Sequence, residues 1–220
     1  MAHKVSSFFS EEDLQRIKAA VQEAELKTSG EIVPYVVDRS GEYEEAQWKG
    51  AAMTSALILA LFVLYHASSF WWIPLTYAQM ASVVLVMGFA AFFFVKWNPA
   101  AQRLLAGHRL IERRVGQRAA EAFVSEEVFQ TKERTGILLF LSLVEHRVLV
   151  MGDSGINAKV KQEEWTGIVE RIVAGIRSGK PADGLIDGIR RCGELLQQHG
   201  VARRSDDKDE LPDSLRMSDR

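Results

Sequence analysis

From Gly50 to Val95 the chain contains no Asp, Glu, Lys or Arg, although 27 Lys or Arg and 29 Asp or Glu are spread over the rest of its 220 residues. A bilayer core about 30 Å thick takes roughly 20 helical residues, so this run is too long for one crossing and about right for two. Ala51–Tyr65 and Met80–Val95 are almost wholly apolar, and Ser68, Ser69, Pro74, Thr76 and Gln79 between them supply a turn that can reach water. The run therefore predicts a transmembrane helical hairpin. Trp71, Trp72 and Tyr77 fall at its turn, and Trp48 and Trp97 flank its outer ends, the headgroup level that amphipathic rings prefer. Lys49, Lys96, Arg103, Arg109, Arg113 and Arg114 lie just outside on the terminal side, while the turn carries no cation. The positive-inside rule then predicts the inner (cell) membrane with both termini cytoplasmic. The first thirty residues lack a basic start followed by an apolar stretch, so no secretory signal is expected.

The flanks read as an α/β domain. Ser10 with Asp13 suggests a capping box, and Phe9 with Leu14 a hydrophobic staple, for a helix over 10–27. Glu31–Asp38 (EIVPYVVD) reads as a strand, and Pro34 in it points to an edge or a bulge because proline cannot donate to a ladder. Pro99–Phe123 is a polar helix with an apolar stripe, continuing the second membrane helix across a kink at Pro99. Gly136–Val144 and Arg147–Met151, separated by Glu145 and His146, read as a tight antiparallel hairpin whose first strand is buried on both faces. Amphipathic helices follow over 162–177 and 181–199, and the last twenty residues, rich in charge, are expected to be disordered. The expected fold is a small three- to four-stranded sheet sandwiched by helices. Its parts are 1–49 and 98–200, with the hairpin at 50–97 and a tail at 201–220.

The segments FFSEEDLQRIKAAVQEAELKTSGEIVPYVV, TKERTGILLFLSLVEHRVLVMGDSGI and EEWTGIVERIVAGIRSGKPADGLIDGIRRCGELL, in that order, resemble the TPM domain family. The resemblance implies a small α/β sandwich, and for some members phosphatase activity or calcium binding. Those relatives begin with a signal peptide and work in a lumen or periplasm. An internal hairpin and a cytoplasmic domain depart from that pattern and weaken the case for an extracellular-type calcium site.

Asp153, in Met151–Gly155 (MGDSG), sits where a strand gives way to a helix; it can cap that helix or ligate a hard divalent cation. Glu31 and Asp38 bracket the first strand and are the other candidate metal ligands. Parallel pairing of the first and third strands would bring Asp38 to the Asp153 end, and antiparallel pairing would bring Glu31. Arg134 and Thr131, just before the buried strand, are the candidate residues for binding a phosphate or a partner. The Arg134 fork can hold a phosphate or a partner's carboxylate, or form an internal salt bridge to Glu31 or Asp153. GDSG also matches the nucleophile loop of trypsin-like proteases, but Ile156 stands where a second Gly is needed and no His and Asp partners are placed to serve it. Cys192 falls on an apolar helical stripe as a core residue, and the five histidines show no metal spacing. No P-loop, dinucleotide fingerprint, zinc pattern or kinase set is present.

A net charge of −2 argues against nucleic acid as a partner. The expected partners are membrane lipid and another protein, and the expected function is that of an assembly or regulatory factor at the membrane. The alternative is a tethered metal-dependent phosphatase, which requires a second acid to converge on Asp153. A transporter is disfavoured because the spans carry no charge.

Overall fold

The structure, a computed structural model, describes residues 8–67, 76–201, 203 and 210–218. Helix α1 (Glu11–Glu25) starts as its sequence dictates: Ser10 Oγ accepts from Asp13 N–H, and Asp13 Oδ2 accepts from Ser10 N–H, each at 3.1 Å. Phe9 is buried beside it and Leu14 packs on the core, the two positions of the expected staple. The strands are β1 (Glu31–Val37), β2 (Gly136–Ser142), β3 (Arg147–Gly152) and β4 (Arg216–Ser218), in the order β3-β2-β1-β4. β2 is fully buried and pairs antiparallel with β3 and parallel with β1, and β1 pairs parallel with β4.

β1 is thus an inner strand, where Pro34 had pointed to an edge or a bulge. The alternation of the strand resolves this. Ile32 N–H donates to Glu25 Oε1 and Asp38 N–H donates to Ser218 O, so even-numbered positions face the β4 side. β4 begins opposite Tyr35, and the nitrogen of Pro34 therefore faces a stretch where no strand asks for a donor. The β2–β3 turn runs from Leu143 to His146, longer than two residues: Leu143 N–H continues the β1 ladder to Val37 O, and Val144 N–H donates to Asp38 O and not across to β3. His146 closes it at φ +51°.

β4 comes from the tail expected to be disordered. Residues 210–218 are held by contacts that a charge count does not register: Gln22 Nε2 to Asp213 Oδ2 at 2.7 Å, Arg216 Nε to Glu126 Oε2 at 2.6 Å, and Arg118 Nη2 to Ser218 Oγ at 3.2 Å. Leu215 adds a half-buried side chain to the core. The edge of β1 supplies the ladder that those few apolar residues could not have replaced by burial alone.

One face of the sheet (Ile32, Val36, Ile137, Leu139, Leu141) meets the buried stripes of α1, α7 (Thr166–Arg177) and α8 (Pro181–Gln198). On the other face Tyr35 and Phe140 stack at 5.8 Å; α5 (His108–Ser125) carries buried Val115, Ala119 and Ala122. This α/β unit comprises Met1–Gly41 and Arg113–Arg220.

A second unit, Glu42–Glu112, contains α2 (Glu44–Ala67), α3 (Tyr77–Trp97) and α4 (Pro99–Ala106). α2 and α3 are both long and apolar enough to cross a membrane. They pack together through small residues: a Cβ on Gly88 would come 2.7 Å from Ser55 Oγ, which is how helices approach closely in lipid. Outward, Leu57, Leu61, Leu64, Leu85, Phe89 and Phe94 are more than half exposed, an apolar surface of a kind water disfavours. Of the residues expected at the turn, Ser68, Ser69, Trp71, Trp72 and Pro74 lie outside the described residues. Thr76 caps α3 in a box with Gln79. The expected single helix from Pro99 is two, α4 and α5: Asn98 Oδ1 caps α4 through Ala100 and Ala101 N–H, and Gly107 at φ +78° ends it.

Candidate functional site at the Asp153 end of the sheet

β3 delivers Asp153 to the sheet end. Its N–H donates to Gly136 O at 2.9 Å, and its Oδ1 accepts from Ser154 N–H at 2.6 Å, capping the short helix α6 (Ser154–Asn157). Capping is thus a role the carboxylate does fill. Its other oxygen, Oδ2, is buried and lies 2.9 Å from Arg134 Nε, in charge contact without an N–H directed at it. The internal salt bridge open to Arg134 is therefore formed, and its partner is Asp153.

Arg134 is held from several sides. Its backbone sits at φ +58°, with N–H donating to Thr131 O and C=O accepting from Gly155 N–H. Nη1 donates to Phe129 O at 3.3 Å, and the guanidinium carbon stands 5.6 Å from the centre of the Phe129 ring. The side chain is nonetheless half-exposed. Gly155 makes this closeness achievable, since a Cβ there would overlap the carbonyl oxygens of Glu133 and Arg134, the latter at 2.7 Å.

Thr131 differs from half-exposed Arg134 in its surroundings. It is buried, and its Oγ1 accepts from Thr135 N–H at 2.8 Å, while Thr135 Oγ1 donates to Ser29 O. Sequence placed the residue in this turn but could not show that its hydroxyl accepts from Thr135 N–H.

The three candidate metal ligands do not come together. β3 runs antiparallel to β2 and β2 parallel to β1, with Ile32, Ile137 and Gly152 in register, so Glu31 and not Asp38 shares the Asp153 end. Glu31 accepts from Glu210 and Leu211 N–H at 3.3 and 3.4 Å. Asp38 lies at the far end, where its N–H donates to Ser218 O and Arg39 Nε approaches its Oδ2 at 3.9 Å. Among the described residues no three His, Cys, Asp or Glu side chains gather as a metal-binding group. The set Asp153, Asp38 and Glu31 does not fit a divalent cation, which needs several oxygens within about 2.6 Å of one point.

Sequence reasoning missed a polar cluster at the Asp38 end. Ser142 Oγ donates to Glu145 Oε2 at 2.5 Å, Glu145 Oε1 accepts from Ser40 N–H at 3.0 Å, and the hydroxyls of Ser40 and Ser142 lie 2.7 Å apart. The available signal was a serine closing the apolar run GILLFLS, three residues before an acid. A groove of about 510 Å³ runs between α7 and α8, walled by Glu170, Arg171, Arg191 and Glu194 and clear of every residue above. Cys192 is fully buried, and desolvation pushes its thiol pKa up, which makes it a core side chain.

Comparison with known proteins places this geometry. No curated protein sequence matches the chain. Among solved structures, the NMR structure of the BA42 protein from the psychrophilic bacterium Bizionia argentinensis is similar to it, at 20% identity and a TM-score of 0.60 over 98% of this chain and 99% of that one. At that identity the likeness concerns the fold. Residues 105–195 match the family described as the TPM domain. The TPM resemblance read from the sequence is thereby matched over residues 105–195, which include β2 and β3 of the four-stranded sheet.

Proposed function

We propose that the chain is a membrane-anchored binding module that acts as an assembly or regulatory factor: α2 and α3 anchor it, and the TPM-like domain engages another protein through Arg134. The observation that carries this reading is the state of that guanidinium. It is held by Asp153, Phe129 O and the Phe129 ring, yet half-exposed, and a pre-oriented fork of this kind suits a carboxylate or phosphate on a partner. The anchor reading is supported by exposed apolar side chains along both helices, with exposed Lys49 and Lys96 at their outer ends. Those cations favour the inner membrane with both termini cytoplasmic.

Two measurements on the full chain in mild detergent test the reading. A protein partner should co-purify with the unmodified chain and fall at least ten-fold with Arg134→Ala. A generic phosphomonoester with added Mg²⁺, Mn²⁺ or Ca²⁺ should not be turned over. Metal-dependent hydrolysis that Asp153→Asn abolishes would replace this reading with a tethered phosphatase.

A further inference from the structure

The segment 210–218 lies along β1 in the manner of a bound peptide. The carboxylate of Glu31 accepts two successive backbone N–H groups, those of Glu210 and Leu211. Arg216–Ser218 then pairs in parallel with Tyr35–Val37, and Arg216 drops its largely buried side chain onto Glu126 at 2.6 Å. The receptor surface is acidic: Glu31 and Glu126 face the segment directly, and Glu25 lines the same side of β1 by holding Ile32 N–H at 2.8 Å. Arg118, which reaches Ser218 Oγ, stands at the far end of the pairing.

The occupant suits this surface poorly. Its Glu210 carboxylate turns to Lys132 N–H at 2.9 Å, but Asp213 brings a further acid to a surface already lined by Glu25, Glu31 and Glu126. Asp213 is buried, and while its Oδ2 accepts from Gln22 Nε2 at 2.7 Å, its Oδ1 has no hydrogen-bond partner. A buried carboxylate oxygen without a donor is costly to maintain. The ladder itself is only three residues long and one-sided. These features describe a competitor that holds a slot weakly, where a basic segment would hold it well.

We propose that the β1 edge is a binding slot for an extended, basic segment of another protein, entering parallel to β1 with an arginine on Glu126, and that residues 210–218 are its built-in competitor. Main-chain pairing supplies affinity and the arginine supplies register, as in other strand additions to a sheet edge. This slot involves none of the groups that carry the Arg134 reading and stands or falls separately from it.

The probe is a labelled synthetic peptide of residues 210–218 bearing Asn in place of Asp213, added to the full chain in detergent. Arg216→Glu in the chain should loosen its own segment by repulsion from Glu126. Ser218→Pro should do so by a different route, since Asp38 N–H donates to Ser218 O and strand geometry turns the residue 218 N–H toward β1 as well. Both chains are expected to bind the probe at least ten-fold more tightly than the unmodified chain, and Asp213→Asn in the chain should weaken probe binding. A probe with Glu in place of its arginine should bind at least ten-fold less. Equal binding to all chains, or binding indifferent to the probe's arginine, overturns the proposal. If Arg216→Glu loses its native circular dichroism, Ser218→Pro decides alone. An unmodified chain that is dimeric and dissociates on adding the probe would assign the slot to a second copy and overturn the assignment to another protein.

Discussion

Asp38 lies at the opposite end of the sheet from Asp153, because β3 returns antiparallel along β2 while β1 runs parallel to it. That relationship separates two acids that a converging metal site would have to unite, and it leaves Arg134 as the group facing Asp153.

Arg134→Ala leaves the buried Asp153 Oδ2 without its counter-charge. The half-exposed arginine limits the loss, and the full chain should be destabilised by about 1–2 kcal/mol in denaturant unfolding. Asp153→Asn keeps an oxygen to cap α6 and should lose under about 1 kcal/mol. An equal and negligible loss in both variants would show that the pair does not hold the sheet end.

Gly155→Ala brings a methyl group into the carbonyl oxygens of Glu133 and Arg134. Backbone cannot swing aside as a side chain would, so a loss of about 2–3 kcal/mol is expected. Gly167→Ala, in open space on α7, serves as the control and should be neutral or stabilising.

The residues of the main apolar core lie outside Glu42–Glu112. Replacing Gly50–Val95 by a short flexible linker should therefore yield a soluble domain that unfolds cooperatively in a thermal scan. In that protein Leu139→Asp, at a fully buried position of β2, should abolish folding, since its carboxylate would have no partner.

Glu164 accepts from Lys161 N–H at 2.9 Å and pairs with His199 at 2.7 Å; chiefly the first contact lowers its pKa below the ordinary 4.5. With the folded value below the unfolded one, the stabilisation is present above about pH 4.5 and is lost as pH falls through the folded value. Carboxyl NMR should find a midpoint below 4.5, and Lys161→Pro, which removes the donor at a compatible φ of −79°, should move it back up.

A reporter active only in the cytoplasm should work when fused after Arg220 and fail when inserted at Ser69. The reverse pattern would place the α/β domain on the other side of the membrane.

Elements whose stability comes from their own residues were legible in the sequence. The charge-free run declared two membrane-length helices, Ser10 and Asp13 declared the start of α1, and the apolar run at 136–144 declared a strand buried on both faces. Asp153 could be placed at the end of a strand and the start of a helix because capping is a local act. What depends on direction and register was decided only by tertiary structure. Whether Glu31 or Asp38 joins Asp153 turns on the sense of pairing among three strands, and no residue in any one of them encodes it. Pro34 reads as an edge signal until β4 is seen to begin one residue after it, and β4 itself was hidden in a charged tail. Its folding is stabilised by a ladder and by Glu31, Glu126 and Gln22, groups that lie far away in sequence and near only once the sheet has formed.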